Sequence, residues 1–106
     1  MKIYLCGPMT LKVAPDLNRA AFADAAVALR GAGHSVFNPG ENSDELAYTQ
    51  AMRLDINEVL RSDSIVALPR WDEGTGTRVE VAVALAIGTP VYAWVRGELE
   101  AGRATP

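Results

Sequence analysis

One cysteine, Cys6, and one histidine, His34, are all that the 106 residues hold of either type. A lone thiol excludes an internal disulfide framework, and without clustered Cys and His there is no signature of a metal site. No metal and no cofactor is therefore expected, and a thiol left free fits a reducing cytoplasm. Basic residues are also in short supply: 10 Lys and Arg against 13 Asp and Glu leave a formal net charge of -3. Such a chain lacks the positive footprint that holds a polyanion, so no nucleic-acid polymer is expected as partner. A small anion is not excluded, because a helix N-terminus holds phosphate without a basic surface. Long apolar runs are missing too. None approaches the roughly 20 residues that cross a bilayer, and Met1-Lys2 leads into Ile3-Tyr4-Leu5-Cys6 without the apolar core of a secretory leader. The expectation is a cytoplasmic protein with no membrane partner.

What is present is apolar material, 49% of residues against 22% charged, enough for the core of one small globular domain. No internal repeat or low-complexity segment interrupts it. The domain is expected over residues 1–96, with a tail over 97–106 where Gly, Glu, Arg and Pro replace the apolar pattern.

In chain order, Lys2 to Cys6 reads as a buried strand stopped by Gly7-Pro8, and Met9 to Pro15 as a loop. Asp16 is a candidate N-cap for a helix whose apolar positions are Leu17, Ala21, Phe22, Ala25, Ala26 and Leu29, stopped by Gly31 and Gly33. His34 to Phe37 is a second strand. Tyr48 to Arg61 is a second helix with the stripe Met52, Ile56, Val59 and Leu60. Ile65 to Leu68, Thr77 to Ile87 and Val91 to Val95 follow as strand, helix and strand. This alternation predicts an α/β three-layer sandwich of Rossmann or flavodoxin type. Its four-stranded parallel sheet has order 2-1-3-4 and helices on both faces. The first and third strands then neighbour each other, which sets the loop at Gly7 to Thr10 opposite the stretch Asp72 to Glu80 across one crevice.

That stretch, Trp71-Asp72-Glu73-Gly74-Thr75-Gly76-Thr77-Arg78-Val79-Glu80, is an acidic, glycine-rich turn running into a helix. Several readings stay open for it. Gly74 to Thr77 cradles a phosphate through amides and hydroxyls, or merely permits a tight connection; the lysine and spacing of a P-loop are absent. Thr77-x-x-Glu80 forms a capping box, with Glu80 in the first turn, where the helix dipole depresses its pKa; or Glu80 is an ionised nucleophile. Trp71 and Trp94 stack on a base or fill the core and an interface. Asp55 stands out because it falls three residues after Met52 and four before Val59, in the sector of the apolar stripe. A carboxylate there is costly unless a polar site or a partner such as Arg53 or Arg61 receives it. Asp63, at the end of that helix, reads as a turn cap.

These residues carry a resemblance. Ile3-Tyr4-Leu5-Cys6-Gly7-Pro8-Met9, Phe37-Asn38-Pro39, Asp55 followed by Asp63-Ser64-Ile65-Val66, and Asp72-Glu73-Gly74-Thr75-Gly76-Thr77-x-x-Glu80 together resemble the nucleoside 2-deoxyribosyltransferase superfamily. That group includes 2'-deoxynucleoside 5'-monophosphate N-glycosidases and small bacterial and phage forms. The resemblance implies cleavage of the N-glycosidic bond of a 2'-deoxyribonucleoside, with transfer of the sugar through a covalent glutamyl intermediate. It makes Glu80 the nucleophile, Asp55 the acid that assists the departing base and Tyr4 the group that orients Glu80. Asp72 or Glu73 would bind the sugar hydroxyls, within a substrate wall of Gly7, Pro8, Met9, Asn38, Gly74, Thr75 and Thr77. For a phosphate-bearing substrate, Thr75, Thr77 and Thr10-Leu11-Lys12 are the contacts. The family's glycine two positions after the nucleophile is Ala82 here. A homo-oligomer, a dimer or larger, is implied as well. A nucleotide-binding module that has lost turnover, and a plain interaction domain, are the alternatives of a different class.

Overall fold

Lys2–Cys6 forms β1 because five residues of strand-compatible, mostly apolar character precede a Gly-Pro stop, and every one from Ile3 to Cys6 is buried. The computed structural model describes residues 1–9, 18–42 and 45–101. In order, β1 is followed by α1 (Arg19–Gly31), β2 (Ser35–Phe37), a 3-10 turn (Pro39–Glu41), α2 (Tyr48–Leu60) and β3 (Ser64–Ala67). A second 3-10 turn (Trp71–Glu73), α3 (Thr75–Ala86), β4 (Val91–Val95) and β5 (Glu98–Ala101) complete it. The anticipated cap at Asp16 and helix start at Leu17 lie outside the described residues.

The sheet runs β2-β1-β3-β4-β5. The first four strands are parallel in the expected 2-1-3-4 order, and the sheet has one strand more than expected. β5 comes from the segment read as a tail and pairs antiparallel with β4, Trp94 opposite Leu99 and Val95 opposite Glu98. The connection is the two-residue turn Arg96-Gly97, with φ of 52° and 78°. Positive φ at both positions is what a type I′ hairpin requires, and Gly97 meets it without strain.

Both faces of the sheet are covered. On one, Ile3, Leu5, Val36, Val66 and Leu68 pack with Phe22, Ala25, Ala26 and Leu29 of α1. On the other, Tyr4, Cys6, Ile65, Ala67 and Val91 pack with Val59 of α2 and with Val81 and Ala84 of α3. Trp94 leans on the first cluster and Trp71 on the second, so each indole serves packing. Asp63, expected as a turn cap, instead makes a long-range tie: its Oδ2 accepts from Lys2 N at 2.7 Å and its own N–H donates to Lys2 O at 2.8 Å. This fastens the start of β1 beside β3. Among the described residues no helix is long and apolar enough to cross a membrane.

The α2 stripe differs from expectation at one end. Val59 is buried, but Leu60 is 51% exposed, because one residue further turns the side chain about 100° around the helix. The buried position that completes the face is Asp55, 8% exposed.

Candidate active site

The loops after β1 and β3 meet as the topology requires. Thr77 Oγ1 donates to Gly7 O at 2.7 Å in a buried contact, and Gly74 lies close against the facing loop, where a Cβ would stand a tight 3.1 Å from Pro8 Cα. Between these loops, the Pro39–Glu41 turn and α2 lies a cleft of about 580 Å³. Gly7, Met9, Gly74, Thr75, Thr77, Asp55 and Glu80 line it, which brings together most of the residues singled out in the sequence. Pro8 is buried beneath the loop and is absent from the lining.

The capping box is not formed. α3 begins two residues before Thr77, with Gly74 as its N-cap and no side-chain cap, because the Thr77 hydroxyl is spent on Gly7 O. Glu80 consequently sits in the second turn and points inward, 5% exposed. There the dipole has faded and burial dominates. The Glu80 pKa is pushed up to about 8, first by desolvation and then by the negative charge of Asp55, with a smaller opposing pull from the Tyr4 hydroxyl. The expected depression is thus reversed.

Asp55 is held by Asn42, whose Nδ2 donates to Asp55 Oδ1 at 3.1 Å; the Arg61 anticipated as a partner reaches Glu58 instead, at 3.8 Å. Burial raises the Asp55 pKa and the Asn42 hydrogen bond lowers it. Tyr4 lies beneath the pair, fully buried, its ring stacked on Phe37 with centroids 5.6 Å apart. Its hydroxyl falls short of a full hydrogen bond, though it is near enough to Glu80 to lower that carboxyl's pKa. Burial, then the Glu80 and Asp55 charges, raise the phenol's own pKa. Cys6 is buried beside them, and its thiol is raised by burial and by Glu80.

Three expected contacts stand elsewhere. Asp72 lines a separate hollow with Trp71 and Trp94. Glu73 is drawn away by a charge-assisted pair with Arg70, 3.0 Å from its Nη2, on an exposed 3-10 turn. Asn38 is buried and caps its own turn, Oδ1 accepting from Gly40 N at 2.8 Å. Thr10, Leu11 and Lys12 lie outside the described residues. Ala82 is on the exposed side of α3, so its methyl does not crowd the cleft.

Sequence reasoning passed over Asn42, Tyr48, Met52 and Arg19, all of which line the cleft. Tyr48, Met52 and Asp55 stand at i, i+4 and i+7 on one face of α2, a spacing that was readable. Gly76 lets α3 approach that face, since a Cβ there would stand 2.9 Å from Met52 Sδ. Asn42, after an irregular turn, gave no signal.

Residues 1–93 match a family described as a domain of unknown function (DUF4406). No curated protein matches the chain at a significant level. Among solved structures, the chain is 24% identical to a 2-deoxyribosyltransferase of the psychrotolerant bacterium Bacillus psychrosaccharolyticus. The TM-score is 0.67, over 88% of this chain and 71% of that one. It is similar also to BlsM, 24% identical with a TM-score of 0.69 over 88% and 63% of the two chains. The third is the CMP N-glycosidase BcmB of Clostridium botulinum, 20% identical with a TM-score of 0.61 over 88% and 67%. At these identities the likeness is one of fold, and it is the fold that the resemblance noted in the sequence implied.

Proposed function

We propose that this chain, which belongs to the family described as a domain of unknown function (DUF4406), cleaves the N-glycosidic bond of 2'-deoxyribonucleosides through a covalent deoxyribosyl intermediate on Glu80. The observation that carries this reading is the convergence of two buried carboxylates, Asp55 of α2 and Glu80 of α3, on one cleft above the Tyr4 hydroxyl. The names of the solved structures, a 2-deoxyribosyltransferase and a CMP N-glycosidase, support it.

The chemistry follows retaining-glycosidase logic. The Glu80 carboxylate attacks the anomeric carbon as the C–N bond breaks, the bonding pair leaves with the base, and Asp55 gives its proton to the base. Water or a second base then attacks the same carbon and frees Glu80; the first acceptor makes a hydrolase, the second a transferase. A 2-deoxy sugar suits the scheme because no 2'-hydroxyl destabilises the developing cation. Glu80, with a pKa near 8, holds a proton at neutral pH in the resting protein, and the reacting form is the one in which that proton sits on Asp55. Tyr4, donating toward Glu80, favours this form.

Hydrolysis of the N-glycosidic bond of a 2'-deoxynucleoside 5'-monophosphate is the second reading. It is favoured by Arg19, the one cationic side chain lining the cleft among the described residues. Assembly into a homo-oligomer belongs to the same proposal, and the exposed Leu54, Leu60, Val79 and Ile87 of α2, α3 and its end suit it.

The test is chromatographic: base release from deoxynucleosides and their 5'-monophosphates, with and without a second base. Release is expected in the wild type and its loss in Glu80→Gln. Undiminished release by Glu80→Gln would sink the proposal.

A further inference from the structure

Asn42 follows the Pro39–Glu41 turn, and the turn is anchored from two sides. Asn38 Oδ1 accepts from Gly40 N, while Arg30 Nη2 donates both to Val36 O and to Glu41, at 2.9 Å each. From this mount Asn42 Nδ2 reaches Asp55 Oδ1, and both residues line the cleft. The contact fixes two things. An oxygen without a proton only accepts, so the Asn42 amide turns its NH2 to Asp55 and directs its carbonyl oxygen elsewhere. With Oδ1 of Asp55 engaged, Oδ2 is the oxygen left to carry the acid's proton.

A donor, Asp55 Oδ2–H, and an acceptor, Asn42 Oδ1, therefore belong to one hydrogen-bonded pair on the cleft wall. Their complement is a ring-nitrogen lone pair with an amine hydrogen alongside. Adenine offers this at N7 and N6, an edge that asparagine also reads in the DNA major groove, and cytosine offers it at N3 and N4. Hypoxanthine, guanine, uracil and thymine place a carbonyl oxygen where the amine would be, which sets oxygen against Asn42 Oδ1. Rotating the amide to relieve this would break its bond to Asp55. Asp55 is 8% exposed, so water does little to soften the mismatch.

We infer that Asn42 and Asp55 together select amino-bearing over oxo-bearing nucleobases, so that the substrates are 2'-deoxyribonucleosides or deoxynucleotides of adenine or cytosine. The inference rests on the glycosidic reading above and deepens it. In the step itself the Oδ2 proton passes to the ring nitrogen and the C–N pair stays with the base. Asp55 is left ionised between the Asn42 N–H and the new ring N–H, while Glu80 holds the sugar as an ester.

The experiment measures kcat/KM for deoxyadenosine against deoxyinosine and for deoxycytidine against deoxyuridine, each also as the 5'-monophosphate. Calorimetric Kd values are measured for the same ligands. The amino member of at least one pair is expected to lead by about tenfold or more, the usual cost of one unpaired buried polar group. In Asn42→Ala that ratio is expected to fall toward one. A general loss of folding lowers both members equally and cancels in the ratio. Equal rates for amino and oxo substrates in the wild type, or a ratio untouched in Asn42→Ala, overturn the inference. If no substrate is cleaved, the glycosidic reading fails and the Kd ratios decide: an amino preference lost in Asn42→Ala upholds base selection, while equal or absent binding overturns it.

Discussion

Tyr4 and Glu80 meet at the buried floor of the cleft, the phenol near enough to act on the carboxyl's proton affinity yet short of a complete hydrogen bond. A buried hydroxyl with an incomplete partner is a burden on stability and an asset for chemistry that creates negative charge beside it. Tyr4→Phe keeps the ring stacked on Phe37, so thermal unfolding is expected to show stability unchanged or raised by about 1 kcal/mol. Base release is expected to slow by about tenfold to a hundredfold, the worth of one hydrogen bond to a charged group. Unaltered turnover would remove Tyr4 from the site.

The carboxyl pair sets a pH profile. Reaction requires one proton between Asp55 and Glu80, so kcat/KM is expected to be bell-shaped, with a basic limb near the Glu80 value of about 8, where the last shared proton is lost. Asn42→Ala removes the hydrogen bond that lowers the Asp55 pKa and is expected to move the acidic limb upward. Rates that stay flat well past pH 8 would contradict the shared proton.

Stability follows the same groups with a definite sign. Glu80 has a folded pKa of about 8 against an ordinary 4.5. Between those values the native state binds more protons than the unfolded chain, and stability falls as pH rises. The Asp55 pKa is raised as well, which adds to the trend. Melting temperature is expected to drop from about pH 5 to about pH 8.5 in the wild type. Glu80→Gln, which has no charge to bury, is expected to flatten that slope and to exceed the wild type at the alkaline end. The reverse slope would show that Glu80 is ionised when folded.

Thr77 couples the two loops. In Thr77→Val the shape is kept but Gly7 O loses its buried donor, at an expected cost of about 1–3 kcal/mol in denaturant unfolding. Thr77→Ser retains the hydroxyl and is expected to lose only about 1 kcal/mol for the missing methyl. A Val variant as stable as the wild type would show that the bond is not formed.

The strand order and the inward-facing Asp55 were readable because both rest on periodicity: alternating strands and helices leave few chiral topologies, and a carboxylate three residues after Met52 and four before Val59 shares the sector of their stripe. The capping box misled because its motif is local, whereas the Thr77 hydroxyl found a buried carbonyl 70 residues away in sequence. Glu80 ionisation was misjudged for the same reason, since burial is set by packing that no window of residues displays. The resemblance offered Asp72 or Glu73 for the sugar hydroxyls, but the 3-10 turn sets Asp72 in a hollow shared with Trp94 and pairs Glu73 with Arg70. β5 was missed because Arg96-Gly97 lacks the Asn or Asp that commonly marks such a hairpin.

β5 changes what the outer border of the sheet offers to other chains. Without it, β4 would end the sheet with Tyr92, Trp94 and Val95 beside unpaired backbone amides, a template for edge-to-edge growth. With it, the border strand carries Glu98 and Glu100, both exposed, two residues apart and so on one side of the ribbon. Two such borders approaching each other bring four like charges together, so copies are kept from joining strand to strand along β5.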